Sequence, residues 1–200
     1  MNLKYTYQLL EPVKALLRES SRINSYSTQQ YWYPLSMATY DFEEILAALD
    51  SLCSFRTTMW EKTIEFERQF AFGVGCPEAI MVNSGSSADL LIAFALINPM
   101  NKSLNPGAEI LVPSVTWPTQ IWSLMMAGLK VRFVDTDPNS LNMDLNDLEA
   151  KIGSNTRAIS LVHLMGNPCD MDRVLSICRK HNLVLIEDCC EALGAGFKGK

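Results

Sequence analysis

Two short segments carry the groups best suited to hold and activate a ligand. Val82-Asn83-Ser84-Gly85-Ser86-Ser87-Ala88 sets a small, hydroxyl-rich turn between an apolar run and a helical pattern. Gly85 lets the backbone approach a ligand, and the outward N–H groups and dipole of a helix start favour an anion, with serine hydroxyls as extra donors. The plain alternative is a helix cap with Ser86 or Ser87 as the capping residue. The second segment is Ile186-Glu187-Asp188-Cys189-Cys190-Glu191-Ala192-Leu193-Gly194, which sets Asp188 just past a short β-branched run. A carboxylate there can pair with a pyridinium nitrogen, keep it protonated and make the ring an electron sink. Alternatively, Asp188 caps the following turn through its own side chain. An anion site and a partner for a ring nitrogen together suggest a cofactor site.

Two further residues suit that chemistry. Trp117, between Val115-Thr116 and Pro118, offers a flat apolar face on which a heteroaromatic ring could stack, or else it is a core or interface tryptophan. His163, one of two histidines, stands at a strand end where it could hydrogen-bond a ring substituent or the substrate, or serve as a satisfied structural histidine. His181 suits a helix C-terminus and needs no function. Gly-x-Ser-x-Gly and the Gly-x4-Gly-Lys-Ser/Thr phosphate loop do not occur, and although Gly194-Ala195-Gly196 follows Asp188, no strand–helix turn of the Gly-x-Gly-x-x-Gly kind is evident there, which disfavours a nucleophile-elbow hydrolase, nucleotide hydrolysis and simple dinucleotide binding.

The elements that must carry these residues follow from the hydrophobic pattern. Strands are predicted at Ala79-Ile80-Met81-Val82, Glu109 to Pro113, Val131 to Val134, Ala158 to Val162 and Leu183 to Ile186. Between them lie helical patterns from Ser86 to Ile97, Pro118 to Ala127 closed by Gly128, Leu145 to Lys151 and Asp170 to His181. Continuous apolar strands alternating with helices indicate a three-layer α/β fold, a mostly parallel sheet with helices on both faces. In such sheets ligands gather at the carboxyl ends of the strands, and Ser84–Ser87, Pro113–Trp117, His163 and Asp188 all lie just past those ends. Before residue 79, Asp41 with Glu44 resembles a capping box opening an amphipathic helix with Phe42, Ile45, Leu46, Leu49, Leu52 and Cys53 on one face. Glu61 to Phe72 is a second amphipathic helix, ending at Gly73 and Gly75, and Tyr7 to Ser20 has a weak helical pattern.

Composition narrows the classes. The 200 residues are 48% hydrophobic and 20% charged, ordinary for a globular chain, and a net charge of −5 gives no general attraction for nucleic acid or anionic lipid. The longest apolar run, Leu90 to Ile97, is far shorter than the roughly 20 residues of a membrane span. With no secretion-signal pattern at Met1-Asn2-Leu3-Lys4, the expected compartment is the cytoplasm. The six cysteines show neither CxxC nor zinc spacing, so reduced structural thiols are expected and no metal is.

At these residues the chain resembles the DegT/DnrJ/EryC1/StrS family, nucleotide-sugar aminotransferases of the fold-type I pyridoxal-phosphate class. The resemblance rests on Asn83-Ser84-Gly85-Ser86-Ser87-Ala88, Val112-Pro113-Ser114-Val115-Thr116-Trp117, Phe133-Val134-Asp135, Val162-His163-Leu164-Met165-Gly166 and Ile186-Glu187-Asp188, in that order, from about Tyr33 to Lys200. It implies an N-terminal extension and lead-in over residues 1–40 and a large cofactor-binding domain over 41–200. That domain would be incomplete at Lys200, and the C-terminal domain would be absent. It implies pyridoxal 5'-phosphate or its amine form as cofactor, with Gly85 and Ser86 at the phosphate, Trp117 on the ring, Asp188 at its nitrogen and Glu191 near the ring hydroxyl. The Schiff-base lysine would lie beyond Lys200, since Lys198 and Lys200 stand too close to Asp188 by family spacing, and the chain alone is expected to be inactive. The implied reaction is amino transfer from an amino acid to a nucleotide-linked keto-sugar by a homodimer. Glu191, where family aminotransferases carry His or Gln, is more similar to the branch of sugar 3-dehydratases, which use the aminated cofactor and replace the lysine by histidine. A non-catalytic, anion-binding member is a third reading. Two other departures are Trp60, where Gly is usual, and Asp89, where Asn is usual.

Overall fold

The computed structural model describes residues 11–16, 18–19, 40, 42–100 and 103–199. Packing divides the chain into two compact units, residues 1–81 and 82–200. Residues 11–16 and 18–19 are helical; the remainder of the Tyr7–Ser20 pattern, and the capping box at Asp41, lie outside the described residues.

The first unit contains α1 (Phe42–Cys53) and α2 (Glu61–Val74). Lys62 ties them by donating to Asp50 Oδ2 at 2.9 Å and to the Ala47 carbonyl at 3.0 Å. Helix α2 stops at Gly75, whose φ of +70° lets its N–H turn back to the last carbonyls of the helix, a conformation glycine reaches without Cβ strain. The apolar side chains expected to bury one face of α2 remain exposed, Phe72 at 86%, because only Ala71 of this helix is buried. The run Ala79-Ile80-Met81-Val82, expected as a strand, forms none. A strand needs a neighbour to complete its ladder, and here the Met81 N–H is taken instead by Glu67 Oε1 at 2.7 Å, leaving Ile80 exposed.

In the second unit every other predicted element appears. In chain order these are α3 (Gly85–Ile97), β1 (Glu109–Pro113), α4 (Pro118–Met126), β2 (Lys130–Val134), α5 (Leu145–Lys151), β3 (Thr156–Val162), a 3-10 turn at Leu164–Gly166, α6 (Met171–His181) and β4 (Val184–Asp188). The strands make one sheet in the order β2-β1-β3-β4, every pair parallel. Successive side chains of a strand point to opposite faces, so β1 feeds two cores. Ile110 and Val112 pack with Ala158, Ala93 of α3 and Leu124 of α4, while Leu111 packs with Ile159, Leu161, Leu148 of α5 and Val174 of α6. These are the expected three layers. One polar pin crosses the first core: buried Gln120 of α4 donates through Nε2 to Ser160 Oγ of β3 at 2.7 Å and accepts from the Thr116 hydroxyl.

The β1–β2 crossover runs along the α4 face and the β2–β3 crossover along the α5 face, so the direction of winding reverses between β1 and β3. A crevice at the carboxyl ends of such a pair is where open α/β sheets bind ligands. Among the described residues no helix is long and apolar enough to cross a membrane.

Candidate cofactor site

Helix α3 begins with its cap on Ser84, rather than on Ser86 or Ser87. Ser84 is extended (φ −163°, ψ 159°), and its Oγ accepts the Ser87 N–H at 3.2 Å. Capping one residue ahead of the glycine makes Gly85 and Ser86 the first helical residues. Their N–H groups are among those that have no intrahelical acceptor and point out along the axis. Both residues are exposed. Ser84 thus satisfies the Ser87 end donor and leaves those of Gly85 and Ser86 without a capping side chain.

Asp188 closes β4 and caps the turn that follows it. Its Oδ1 accepts the Cys190 N–H at 2.9 Å, the local turn expected of an aspartate, while its carbonyl accepts the His163 N–H at 3.2 Å and joins the ends of β3 and β4. The Cys190 sulfur lies 3.4 Å from where a β-carbon on Gly85 would stand. The first turn of α3 thus backs directly onto the turn that follows Asp188. One helical turn further along, Asp89 accepts the Thr119 hydroxyl at 3.0 Å and links α3 to α4. Burial and the nearby charge of Asp188 raise the Asp89 carboxyl above its ordinary range, against the lowering effect of the Thr119 bond. The Asp188 carboxylate beside it, then burial and the charges of Asp89 and Cys189, push the Cys190 thiol up to about 12.

Trp117 is the N-terminal flank of α4, with Pro118 as the first helical residue, and it is 69% exposed. It stands two residues before Thr119, on the element that the Asp89 bond draws toward α3. His163 is 6% exposed: Nδ1 accepts the Cys169 N–H at 3.0 Å, which leaves Nε2 as the protonated nitrogen facing Glu187 Oε2 at 3.2 Å. Both ring nitrogens are engaged by the protein. Glu191 reaches across to the 3-10 turn, where Oε2 accepts the Met165 N–H at 2.5 Å. Met165 holds φ at +55°, and a β-carbon on the next residue, Gly166, would come within 3.2 Å of the Glu191 carbonyl. Sequence reading passed over Cys190, Thr119 and Gln120. A polar residue in the first helical turn after a strand was the available signal for the last two.

Residues 39–200 match the family model described as the DegT/DnrJ/EryC1/StrS aminotransferase family. The chain belongs to that family. Among curated relatives, GDP-4-keto-6-deoxy-D-mannose 3-dehydratase of Escherichia coli O55:H7 is 41% identical over 168 residues, 84% of this chain and 43% of that enzyme. GDP-perosamine synthase of Caulobacter vibrioides is 42% identical over 137 residues, 68% of this chain and 35% of the synthase. A solved structure of the E. coli dehydratase with bound hydrated PLP superposes with a TM-score of 0.80 over 84% of this chain and 43% of its own. The chain therefore spans less than half the length of the relatives it matches. The α3 start, Trp117 and Asp188 stand at ends of α3, α4 and β4, and no His/Cys/Asp/Glu group among the described residues could hold a metal ion.

Proposed function

We propose that residues 41–200 form the cofactor-binding domain of a vitamin B6-dependent enzyme acting on a nucleotide-linked keto-sugar, with amino transfer from an amino acid as the reaction. The observation that supports this reading is the contact between the α3 start and the turn after Asp188, where Cys190 gives its N–H to the Asp188 carboxylate and packs its sulfur against Gly85. The donor set suits a flat phosphorylated pyridine. The N–H groups of Gly85 and Ser86 would receive the phosphate, Trp117 would offer its exposed face to the ring, and Asp188 would hold a proton on the ring nitrogen. Gly85 has only the Cys190 sulfur within 4 Å of a would-be β-carbon, so a phosphate would meet bare backbone there. When bound, pyridoxal phosphate supplies an electron sink for charge developing next to its reactive carbon. His163 and Glu187 act from behind, fixing the β3 and β4 ends that present Asp188. The description of the matching family as aminotransferases supports amino transfer, and the matched relatives support a nucleotide-sugar substrate. A cytoplasmic homodimer completes the reading.

A second reading, dehydration at the sugar 3-position with the amine form of the cofactor, is favoured by Glu191 and by the longer match to the E. coli 3-dehydratase. Incubating the full-length protein with pyridoxal phosphate, an amino acid and a GDP- or dTDP-linked 4-keto-sugar separates the two by product mass. An amino sugar identifies amino transfer, and a sugar short of one hydroxyl identifies dehydration. No cofactor absorbance band and neither product would reject both.

A further inference from the structure

Trp117 is an exposed indole on a backbone that is pinned on both sides. Toward β1, the Ser114 N–H donates to the Val134 carbonyl of β2 at 2.8 Å. Toward α4, Gln120 holds two successive residues: its N–H donates to the Trp117 carbonyl at 3.2 Å, and its side-chain Oε1 accepts the Thr116 hydroxyl. The same amide donates through Nε2 to Ser160 Oγ of β3 at 2.7 Å, and both of those residues are buried. An amide committed at its oxygen and its nitrogen inside a core cannot turn without leaving a buried polar group unpaired. Thr116 and Trp117 are thereby fixed relative to β3, while the Thr119 hydroxyl on Asp89, at 3.0 Å, fixes the same helical turn against α3. An indole rotates about two side-chain bonds only, so a fixed backbone leaves its plane few settings.

We propose that Gln120 is a positioning residue for Trp117, carrying the rigidity of β3 through Ser160 to the backbone from which the indole projects. An aromatic face held in this way meets a flat ring without first being ordered by it. The proposal rests on the cofactor reading above and adds to it a side chain that acts from inside the core. Thr116→Val keeps the shape of the loop residue and removes the hydroxyl that Gln120 holds, leaving the Gln120–Ser160 bond in place. Thr116→Ser keeps the hydroxyl. Gln120→Met keeps the length of the side chain and removes both of its polar ends.

Two measurements on the full-length protein test it. The first needs no cofactor. The protein is labelled with 5-fluorotryptophan, and the Trp117 fluorine signal is identified by its loss in Trp117→Phe. Thr116→Val and Gln120→Met are expected to narrow the Trp117 line as the indole gains motion, and Thr116→Ser to keep the parent line. Trp122, further along the same helix, serves as the internal reference and is expected to keep its line width. Should Gln120→Met disturb Trp122 as well, Thr116→Val decides. An unchanged Trp117 line in Thr116→Val, or an equal change at Trp122 in that variant, overturns the hold. In the second, pyridoxal phosphate is titrated into the parent, Thr116→Val, Thr116→Ser, Trp117→Ala and the Thr116→Val/Trp117→Ala double variant. Thr116→Val is expected to bind about two- to tenfold more weakly, the scale of one aromatic contact, and Thr116→Ser to bind like the parent. Once Trp117 is alanine, Thr116→Val is expected to cost nothing further, because its effect passes through the indole. No loss in Thr116→Val, or an equal loss with and without the indole, overturns the positioning role. Failure of the parent to bind pyridoxal phosphate rejects the cofactor reading, while the fluorine signals still decide whether Gln120 holds Trp117.

Discussion

At Asp188 the backbone and the side chain do different work. The carbonyl knits β3 to β4, and the carboxylate, with Oδ1 committed to Cys190, is presented at the sheet edge. Asp188→Asn keeps the shape and removes the charge. Turnover of the full-length enzyme is expected to fall roughly 10²–10³-fold, the scale of losing one oriented electrostatic partner, with the cofactor still bound; undiminished turnover would remove Asp188 from its role. Asp89 yields a pH prediction. Its folded pKa is raised, so the native state binds the proton more tightly than the unfolded chain does. The stability it contributes is full below the unfolded value of 3.8 and is lost as pH rises through the raised folded value. Asp89→Asn, which keeps an acceptor for Thr119, is therefore expected to raise the melting temperature at pH 7 and leave it nearly unchanged at pH 3. A melting curve showing no gain at pH 7 contradicts the assignment. Residue types and their places just past strand ends could nominate Gly85, Ser86, Trp117 and Asp188. They could not reveal Cys190, whose part depends on which α3 residue lies against its sulfur. Nor could they choose between the two roles of His163, because that depends on the Cys169 N–H and on Glu187.

Among elements, the second unit follows its hydrophobic pattern closely. Leu145–Lys151 appears with the expected ends because Asp144 caps it, accepting from the Asn146 and Asp147 N–H groups. Asp170 and the left-handed Asn182 bound α6 in the same way. The failures share a cause, which is that periodicity records an apolar face without recording what will cover it. Ala79–Val82 has the composition of a strand and no ladder partner, and α2 carries phenylalanines that stay in solvent. The Gln120–Ser160 pin tests the opposite case, a polar contact inside a core. Ser160→Ala strands the Gln120 amide, whose remaining acceptor is the Leu161 carbonyl at 3.5 Å, and should cost about 1–3 kcal/mol in urea denaturation. A loss below a few tenths of that range would mean the amide finds another partner.

The described molecule leaves a good deal of apolar surface in contact with water. Trp117, Trp122, Met125 and Met126 of the α4 segment and Phe133 of β2 are all exposed, and β2 and β4 are open sheet edges. Proteins seldom tolerate so much uncovered apolar and edge surface. The 200-residue polypeptide expressed by itself is expected to bind an apolar dye such as ANS and to self-associate with rising concentration. A monodisperse, dye-silent species would show that these surfaces are compatible with solution. The order of strands bears also on how the chain comes to be folded. β1 sits at the middle of the sheet, and one of its two neighbours begins far downstream: Thr156 donates to Glu109 across 47 residues. During synthesis β1, α4 and β2 can assemble as soon as they emerge, yet one side of β1 must wait until β3 leaves the ribosome. That interval leaves the hydrogen-bonding groups of Ile110 and Leu111 open on one flank, and it makes the speed of translation between Val134 and Thr156 a determinant of yield.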